Sequence, residues 1–341
     1  MKALVFLWVS VAVFAQNPQP DVRNAKWESR AFSGDWASTL RSSSPVWFGY
    51  AVKTNRRDGE NCCWNGEGRG GCGLEGNWTD KSSSAKPNTP VQLEGSDTAA
   101  ILLRVENNTV GKVHLYSLHC PLDAGGLPFI WLNGVSNHDS IVYLKTLALT
   151  DSKGVMDGSI FAIAQHAGPE ADTVLAELAR PAQPERIREK VAFWLGASRG
   201  APGVAALKNM VANDPSPNVR DKAVFALSVS KQPEALDELM RAAKSDPSSH
   251  VRGQALFWLG QKAGQRAAST IKDAVENDPD TEVKKRAVFA LSQLPKDEGV
   301  PKLIEIARTQ KNREARKQAF FWLGQSQDPR ALAFFQEVLN K

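Results

Sequence analysis

One hydrophobic pattern recurs every 32 residues through the second half of the chain. A phenylalanine marks each copy, and an aliphatic residue always stands two positions after it. The six phenylalanines are Phe161, Phe193, Phe225, Phe257, Phe289 and Phe321. A repeat of this length is typical of a solenoid of helix pairs, in which stacked units bury a core that no single unit buries alone. The pattern therefore predicts a mostly helical, repetitive fold and favours a binding scaffold over an enzyme.

Each repeat contains two predicted helices. In the first helix, apolar residues recur at i, i+4 and i+8, as Val219, Ala223 and Leu227 do, which places them on one buried stripe. Side-chain acceptors suited to N-caps precede the first helices at Ser152, Ser216, Ser248, Asp280 and Asn312. The second helices are predicted over residues 171–180, 203–212, 234–244, 266–276, 300–308 and 330–339.

The segments between helix pairs carry a second periodic feature. An aspartate–proline pair is followed by a valine and then a basic residue, as in residues 214–220 and 278–284. On these residues the chain resembles HEAT repeats of the short bacterial kind associated with phycobilin-lyase proteins. The resemblance covers residues 137–341 and implies a right-handed α-solenoid whose phenylalanine-bearing helices line the concave surface. It also implies a series of bonded acidic and basic side chains that joins successive repeats, with the basic members Arg188, Arg220, Arg252, Lys284 and Arg316.

The phenylalanine position departs from the usual HEAT pattern, in which it is polar. At about 100° per residue, Phe225 points roughly opposite to the stripe that contains Val219 and Leu227. Six such rings on one wall of a solenoid would form an apolar surface, which is typical of a binding site. Alternatively, each ring folds sideways and packs between neighbouring helices. The sequence leaves both alternatives open, and the six phenylalanines are our candidate partner-binding residues.

The residue after each phenylalanine alternates between alanine and tryptophan. The alanines are Ala162, Ala226 and Ala290, and the tryptophans are Trp194, Trp258 and Trp322. We interpret the alternation as packing, because a large residue beside a small one on the neighbouring helix fills a shared interface. The alternative is an aromatic platform for a ligand. The 64-residue superperiod suggests duplication of a two-repeat unit.

Residues 20–125 differ in composition and predict a small β-rich domain. A strand is expected at residues 45–52, and a hairpin is expected from residues 99–105 and 112–118. Residues 140–149 look like half a repeat, so we expect the small domain to cap the N-terminal end of the solenoid.

All four cysteines, Cys62, Cys63, Cys72 and Cys120, precede the repeats. We expect two structural disulfides in which Cys62 and Cys63 take Cys72 and Cys120 in one order or the other, because a bond between adjacent cysteines would strain the backbone. The alternative is a zinc site made by Cys62, Cys63 and Cys72 with His119 or Cys120. Its ligand spacing matches no standard zinc pattern, so we predict no metal.

The N-terminus and the net charge bear on location and partner. Residues 1–15 combine one lysine with an apolar stretch that ends at Ala15, which predicts a cleaved secretory signal peptide. An uncleaved N-terminal membrane anchor is the alternative, and no later segment is apolar for long enough to span a membrane. The formal net charge of +5 is low for a nucleic-acid-binding protein. We therefore expect an extracytoplasmic protein, periplasmic or secreted, that has no nucleic-acid partner.

The position four residues before each phenylalanine changes sign along the chain. It runs from Glu189 and Asp221 to Lys285 and Lys317, a polarity suited to orienting an extended peptide. Lys285 and Lys317 therefore join the candidate partner-binding residues.

No group of residues forms a recognisable catalytic or cofactor motif. His119 and Cys120 are poor catalytic candidates, because neighbours on a strand point to opposite faces. We predict a non-catalytic interaction protein that binds a protein or peptide partner and needs no cofactor. The alternatives are an enzyme or lyase-like protein built on HEAT repeats, and a nucleic-acid-binding HEAT-like protein.

Overall fold

The computed structural model describes residues 19–55, 62–65, 68–69, 72–76, 97–262 and 265–340. The chain divides into two compact units, Met1–Ser140 and Ile141–Lys341. The predicted signal peptide at residues 1–15 lies outside the described residues and stays a prediction. Within the described ranges, no helix has the length and apolar content that a bilayer crossing requires.

The first unit is built on a five-stranded sheet. The strands described in this unit are β1 (Val22–Arg23), β2 (Lys26–Ala31), β3 (Val46–Lys53), β4 (Trp64–Asn65), β5 (Gly68–Arg69), β6 (Cys72–Gly73), β7 (Thr98–Glu106), β8 (Thr109–Ser117), β9 (Leu122–Asp123) and β10 (Pro128–Asn133). The large sheet has the order β2-β10-β3-β7-β8, and its central strands are almost fully buried while β2 is exposed. The predicted strand and hairpin are confirmed as β3, β7 and β8. The hairpin turn uses Asn107 and Asn108 at positive φ, which asparagine tolerates well.

The sheet extends beyond the predicted domain limit at residue 125. Strand β10 pairs in parallel with both β2 and β3, so it belongs inside the sheet. A Cβ on Gly49 of β3 would lie 2.9 Å from Phe129 Cζ and 3.0 Å from Trp131 Cε3. Glycine at this position therefore lets the two β10 rings lie across β3, and β10 completes the apolar core of this unit.

Two disulfides close the cysteine segment. Cys62 bonds Cys120 and Cys63 bonds Cys72, with Cα–Cα distances of 5.5 and 5.2 Å. Cys72 and Cys120 are fully buried in a cluster with Trp47, together with other apolar residues of the sheet. The expected pairing is confirmed, and the structure supplies the connectivity that the sequence left open. Because these sulfurs are bonded to each other, they are not the thiolates that the alternative zinc site needs.

The helices begin before the second unit. They are α1 (Trp36–Thr39), α2 (Asn137–Ala148), α3 (Lys153–Gln165), α4 (Pro169–Leu178), α5 (Glu185–Ser198), α6 (Gly200–Asn213), α7 (Pro217–Val229), α8 (Glu234–Ser245), α9 (Ser249–Lys262), α10 (Gln265–Asn277), α11 (Thr281–Ser292), α12 (Lys296–Thr309), α13 (Arg313–Gln325) and α14 (Pro329–Leu339). From α3 onward, odd-numbered helices are the first helices of the repeats and even-numbered helices are the second. The predicted α-solenoid of helix pairs is confirmed.

Local sequence explains where the first helices begin and which side they bury. The stripe of Val219, Ala223 and Leu227 is buried on α7, as its spacing predicts. The N-cap side chains of Ser216, Asp280 and Asn312 accept backbone N–H groups of the helix that follows. Ser152 stands at the N-cap of α3 without such a bond.

Buried ion pairs join successive repeats. Arg188 bonds Asp214 through Nε and Nη2 at 2.8 and 3.1 Å, and the pairs Arg220–Asp246 and Arg252–Asp278 repeat this geometry. Each aspartate also accepts the backbone N–H two residues on, for example that of Ser216. Two-pronged, charge-assisted bonds of this kind fix both distance and orientation between helix pairs.

The series stops after the third pair. Gln310 takes the place of the next aspartate and donates to the Val275 carbonyl, while Lys284 donates to the carbonyls of Val275 and Glu276. Arg316 likewise donates to a backbone carbonyl, that of Gln310. The expected acid–base series is therefore correct for Arg188, Arg220 and Arg252 and wrong for Lys284, because the acid opposite Lys284 is replaced by glutamine.

Candidate functional site

The six periodic phenylalanines and the three tryptophans form one surface of the first helices, which we call the aromatic face. Phe161, Phe193, Phe225, Phe257 and Phe289 are partly exposed, and Phe321 is 53% exposed. The stripe on the opposite side of the same helices is fully buried. The rings are therefore neither fully exposed to solvent nor fully buried between helices. Each packs against its neighbour and keeps part of its surface exposed.

Ring contacts run without interruption from Phe161 to Phe321. Phe193 stacks on Phe225 with ring centroids 6.2 Å apart, and Phe257 stacks on Phe289 at 5.9 Å. Each remaining step passes through a tryptophan, and Trp258, for example, lies 5.1 Å from Phe225 and 4.9 Å from Phe257. Trp194 and Trp322 link their neighbouring phenylalanines in the same way. Offset or tilted ring pairs at these distances attract each other beyond simple apolar burial.

The alternation of direct and tryptophan-linked steps follows from helix spacing. A Cβ on Gly196 of α5 would lie 2.2 Å from the Ala226 carbonyl oxygen of α7, and one on Gly260 of α9 would lie 2.8 Å from the Ala290 Cα of α11. These helices approach so closely that only glycine fits, and their phenylalanines stack directly. Ser228 occupies the corresponding position of α7, and there a tryptophan connects the rings. The 64-residue superperiod is thus a real feature of the packing.

Each tryptophan lies between the phenylalanine of its own helix and the phenylalanine of the preceding first helix. Ala226 and Ala290 are fully buried, but Trp258 is partly exposed and its ring contacts are with phenylalanines. The small residue that permits close helix contact is the glycine two residues after the tryptophan. The tryptophans therefore fill gaps within the aromatic face, and this role combines the packing and platform interpretations.

The charges beside the aromatic face are mostly paired. Lys285 Nζ lies 2.8 Å from Glu282, and Lys317 Nζ lies 3.3 Å from Glu314, each one turn earlier on its own helix. At the acidic end, Asp157 pairs with Lys190 at 3.1 Å, and Asp221 lies 3.6 Å from His250. Asp157, Lys285 and Lys317 are therefore paired, whereas the partner of Asp221 is a histidine, which is charged only when it is protonated. Lys285 and Lys317, which are among our candidate partner-binding residues, each pair with a glutamate of their own helix.

A cleft of about 610 Å³ opens at the α3–α5–α7 end of the aromatic face. Its apolar floor contains Met156, Phe193 and Trp194, and its rim contains charged side chains. On this rim Lys222 and Glu189 form no ion pair with any residue that the structure describes. Apolar floor and polar rim together are typical of pockets that take an amphipathic group.

Two buried polar groups elsewhere in the repeats are structural. His166 is fully buried and its Nδ1 lies 2.7 Å from the Ala162 carbonyl oxygen, while burial lowers its pKa to about 4. Arg199 bonds Asp172 at 2.6 Å and donates to three backbone carbonyls between α3 and α4. Both groups tie helix ends together.

In the first unit, His119 lies beside the Cys62–Cys120 disulfide. Its Nε2 is 3.9 Å from Cys62 Sγ, and with Cys120 it forms the group of possible metal ligands found among the described residues. Both sulfurs belong to the Cys62–Cys120 disulfide. The structure therefore gives this group no free thiolate with which to hold a metal.

The class of protein follows from the repeated helix pairs and the buried ion pairs between them: the second unit is a tandem-repeat α-solenoid. A family model for HEAT repeats matches residues 171–260, 204–292 and 268–341, which together make up half of the chain. The chain belongs to the HEAT-repeat family. No curated protein matches the chain.

Several solved structures are similar to the chain in fold. Kap95p in complex with RanGDP has a TM-score of 0.41 and 17% identity over 60% of this chain and 32% of its own. The phycocyanin lyase complex of CpcE and CpcF from Nostoc has a TM-score of 0.35 and 20% identity over 46% of this chain and 99% of its own. Human deoxyhypusine hydroxylase in complex with glycerol has a TM-score of 0.31 and 19% identity over 58% of this chain and 88% of its own.

Sequence reasoning found the rings of the aromatic face but missed the glycines that set their spacing. Gly196, Gly260 and Gly324 recur at 64-residue intervals, in step with the tryptophans, so the signal was present in the sequence.

Proposed function

We propose that this protein is a non-catalytic, exported interaction protein that binds a peptide segment of a partner protein on the aromatic face. The observation that carries the proposal is the uninterrupted series of partly exposed rings from Phe161 to Phe321. Monomeric proteins seldom expose a large contiguous apolar surface unless that surface takes part in binding, which supports an interaction site here.

The spacing of the rings suits an extended segment. The directly stacked pairs are 6.2 and 5.9 Å apart. Alternate side chains of an extended peptide point to the same side at intervals of about 6.5 Å. A peptide that crosses the first helices can therefore place alternate apolar side chains against the two rings of a stacked pair. Aromatic residues commonly supply most of the binding energy at such interfaces.

Export is supported by the N-terminal sequence and by the cysteine pairing. The pattern of residues 1–15 is that of a signal peptide. Disulfides such as Cys62–Cys120 and Cys63–Cys72 persist in oxidising compartments outside the cytoplasm. Fusing residues 1–20 to a reporter that is active only after export tests this part of the proposal, and a reporter retained in the cytoplasm would contradict it.

Binding is tested with a random library of 12-residue peptides, acetylated and amidated so that their termini carry no charge, screened against the full mature chain. Peptides selected on the wild type should carry apolar residues at alternate positions. Replacing Phe225, Phe257 and Phe289 with serine should abolish their binding.

Two further variants make the outcome unambiguous. Phe321→Glu changes a ring that is 53% exposed, so helix packing stays in place while one end of the aromatic face becomes charged. Leu332→Ser on α14 is the matched control, because it removes an apolar side chain that is 61% exposed and not part of the aromatic face. Circular dichroism melts confirm folding. Selected peptides that bind the Phe321→Glu and triple-serine variants as tightly as the wild type would refute the proposal.

A further inference from the structure

One guanidinium beside the aromatic face has no acidic partner among the residues that the structure describes. Arg286 lies on α11, three residues before Phe289, and is partly buried. Its side chain forms no hydrogen bond and no ion pair with any of the residues that the structure describes. Glu282, one turn earlier on α11, directs both carboxylate oxygens to Lys285 at 2.8 and 3.0 Å. Arg286 therefore keeps its charge without a local counterion.

The repeat shows where the missing acid would be. Lys190 occupies the corresponding position of α5 and pairs with Asp157 of α3 at 3.1 Å. The position equivalent to Asp157 is acidic on α5 and α7 as well, but on α9 it is Gly253. The chain thus replaces the acid by glycine in the one repeat where the opposing basic residue is an arginine.

The arginine occupies the space that the glycine leaves. A Cβ on Gly253 would lie 2.5 Å from Arg286 Cδ and 3.2 Å from both Nε and Nη1. The guanidinium therefore lies across the α9 backbone at Gly253. Phe257 follows Gly253 by about one helical turn, and Phe289 follows Arg286 by nearly one turn. The guanidinium of Arg286 therefore lies about one helical turn from the stacked rings of Phe257 and Phe289.

Building on the proposed function of the aromatic face, we propose that Arg286 binds a carboxylate of the docked peptide. The occupant of this face is a segment in which an aspartate or glutamate is flanked by apolar residues. A guanidinium presents a planar fork of donors that matches a carboxylate, and partial burial beside apolar rings strengthens the bond relative to one in water. The charge complementarity fixes the sign of the partner, because a basic segment would meet an uncompensated positive charge at the centre of the face.

Variants of the full mature chain test this assignment with pairs of peptides. Each acidic peptide selected from the terminally blocked 12-residue library is compared with a twin in which the acidic residue is replaced by its amide. Wild-type protein should bind the acidic peptide about tenfold more tightly than the twin, the size expected for one charge-assisted bond. Arg286→Gln should remove this preference while leaving the affinity for the amide twin unchanged.

Two further variants separate a specific contact from general electrostatics. Lys285→Gln removes the same charge from the adjacent residue, but Lys285 already pairs with Glu282, so the preference should remain. Gly253→Asp places an acid at the position from which Asp157 pairs with Lys190 and should abolish the preference without removing Arg286. The flexible side chain of Arg286 can move to make room for the new Cβ at position 253.

The possible results distinguish this inference from the proposed function. If Phe225, Phe257 and Phe289 are needed for peptide binding but Arg286→Gln and Lys285→Gln have equal effects, the role of Arg286 is wrong and the aromatic face stands. Selected peptides that contain no acidic residues overturn the inference in the same way. If peptide binding is indifferent to the phenylalanines, the proposed function itself is wrong.

Discussion

Gly196→Ala should destabilise the solenoid although alanine is the better helix former. The new Cβ would lie 2.2 Å from the Ala226 carbonyl oxygen and 2.7 Å from its carbon. A normal contact needs over 3 Å, so α5 and α7 must separate by about 1 Å. Alanine gains about 1 kcal/mol of helix propensity over glycine, while overpacking typically costs about 1–3 kcal/mol. Because the obstacle is main chain and cannot change rotamer, we expect a net loss of about 1–2 kcal/mol.

Gly324→Ala provides the matched control. Gly324 occupies the same repeat position on α13, but a Cβ there would have no heavy atom within 4 Å. It should therefore show the propensity gain alone, a stabilisation of up to about 1 kcal/mol. Urea unfolding followed by circular dichroism measures both variants. A Gly196→Ala protein as stable as Gly324→Ala would refute the close approach of α5 and α7 and, with it, our explanation of the direct Phe193–Phe225 stack.

Three other predictions concern buried polar groups and cross-links. Asp246→Asn should cost about 3–5 kcal/mol, because it leaves Arg220 buried without a counterion, and urea unfolding measures this loss. Folding lowers the pKa of His166 to about 4 from an ordinary 6.5, so the unfolded chain binds the proton first as pH falls. Stability should therefore decline by about 3 kcal/mol between pH 6.5 and 4, and His166→Asn should flatten that part of the pH profile of unfolding. The Cys62–Cys120 disulfide spans 58 residues, so replacing both cysteines with serine should cost about 4 kcal/mol by loop entropy, measured as a lowered urea midpoint of the first unit.

The regular part of the fold was predictable because helix formation and burial repeat with the sequence. The 32-residue interval gave every helix pair, and the spacing of Val219, Ala223 and Leu227 gave the buried stripe of α7. Hydrogen-bond partners were harder to predict from the sequence. The acid–base series was expected at Lys284 too, but the replacement of its acid by Gln310 changes the partner to backbone carbonyls.

Side-chain directions, and contacts between residues that lie far apart in the sequence, could not be predicted in the same way. Periodicity places Phe225 opposite the core stripe, but its stacking on Phe193 depends on a helix separation set by Gly196. The position four residues before each phenylalanine predicts a charge gradient from Glu189 to Lys317. In the structure the lysines at the basic end pair with Glu282 and Glu314, which lie at a different repeat position of the same helices. The disulfide connectivity likewise depends on which cysteines the sheet brings together.

The aromatic face as the peptide-binding surface is tested most directly by site-specific photo-crosslinking. p-Benzoylphenylalanine at position 257 introduces the reactive group in place of an aromatic ring of that face, and the same residue at position 332 introduces it on exposed α14. The library-selected peptide is added to each protein, the mixture is irradiated, and the cross-linked products are identified by mass spectrometry. The account predicts cross-links to the peptide from position 257 and none from position 332. Cross-links from position 332 alone, with the peptide bound and position 257 unreacted, would contradict it.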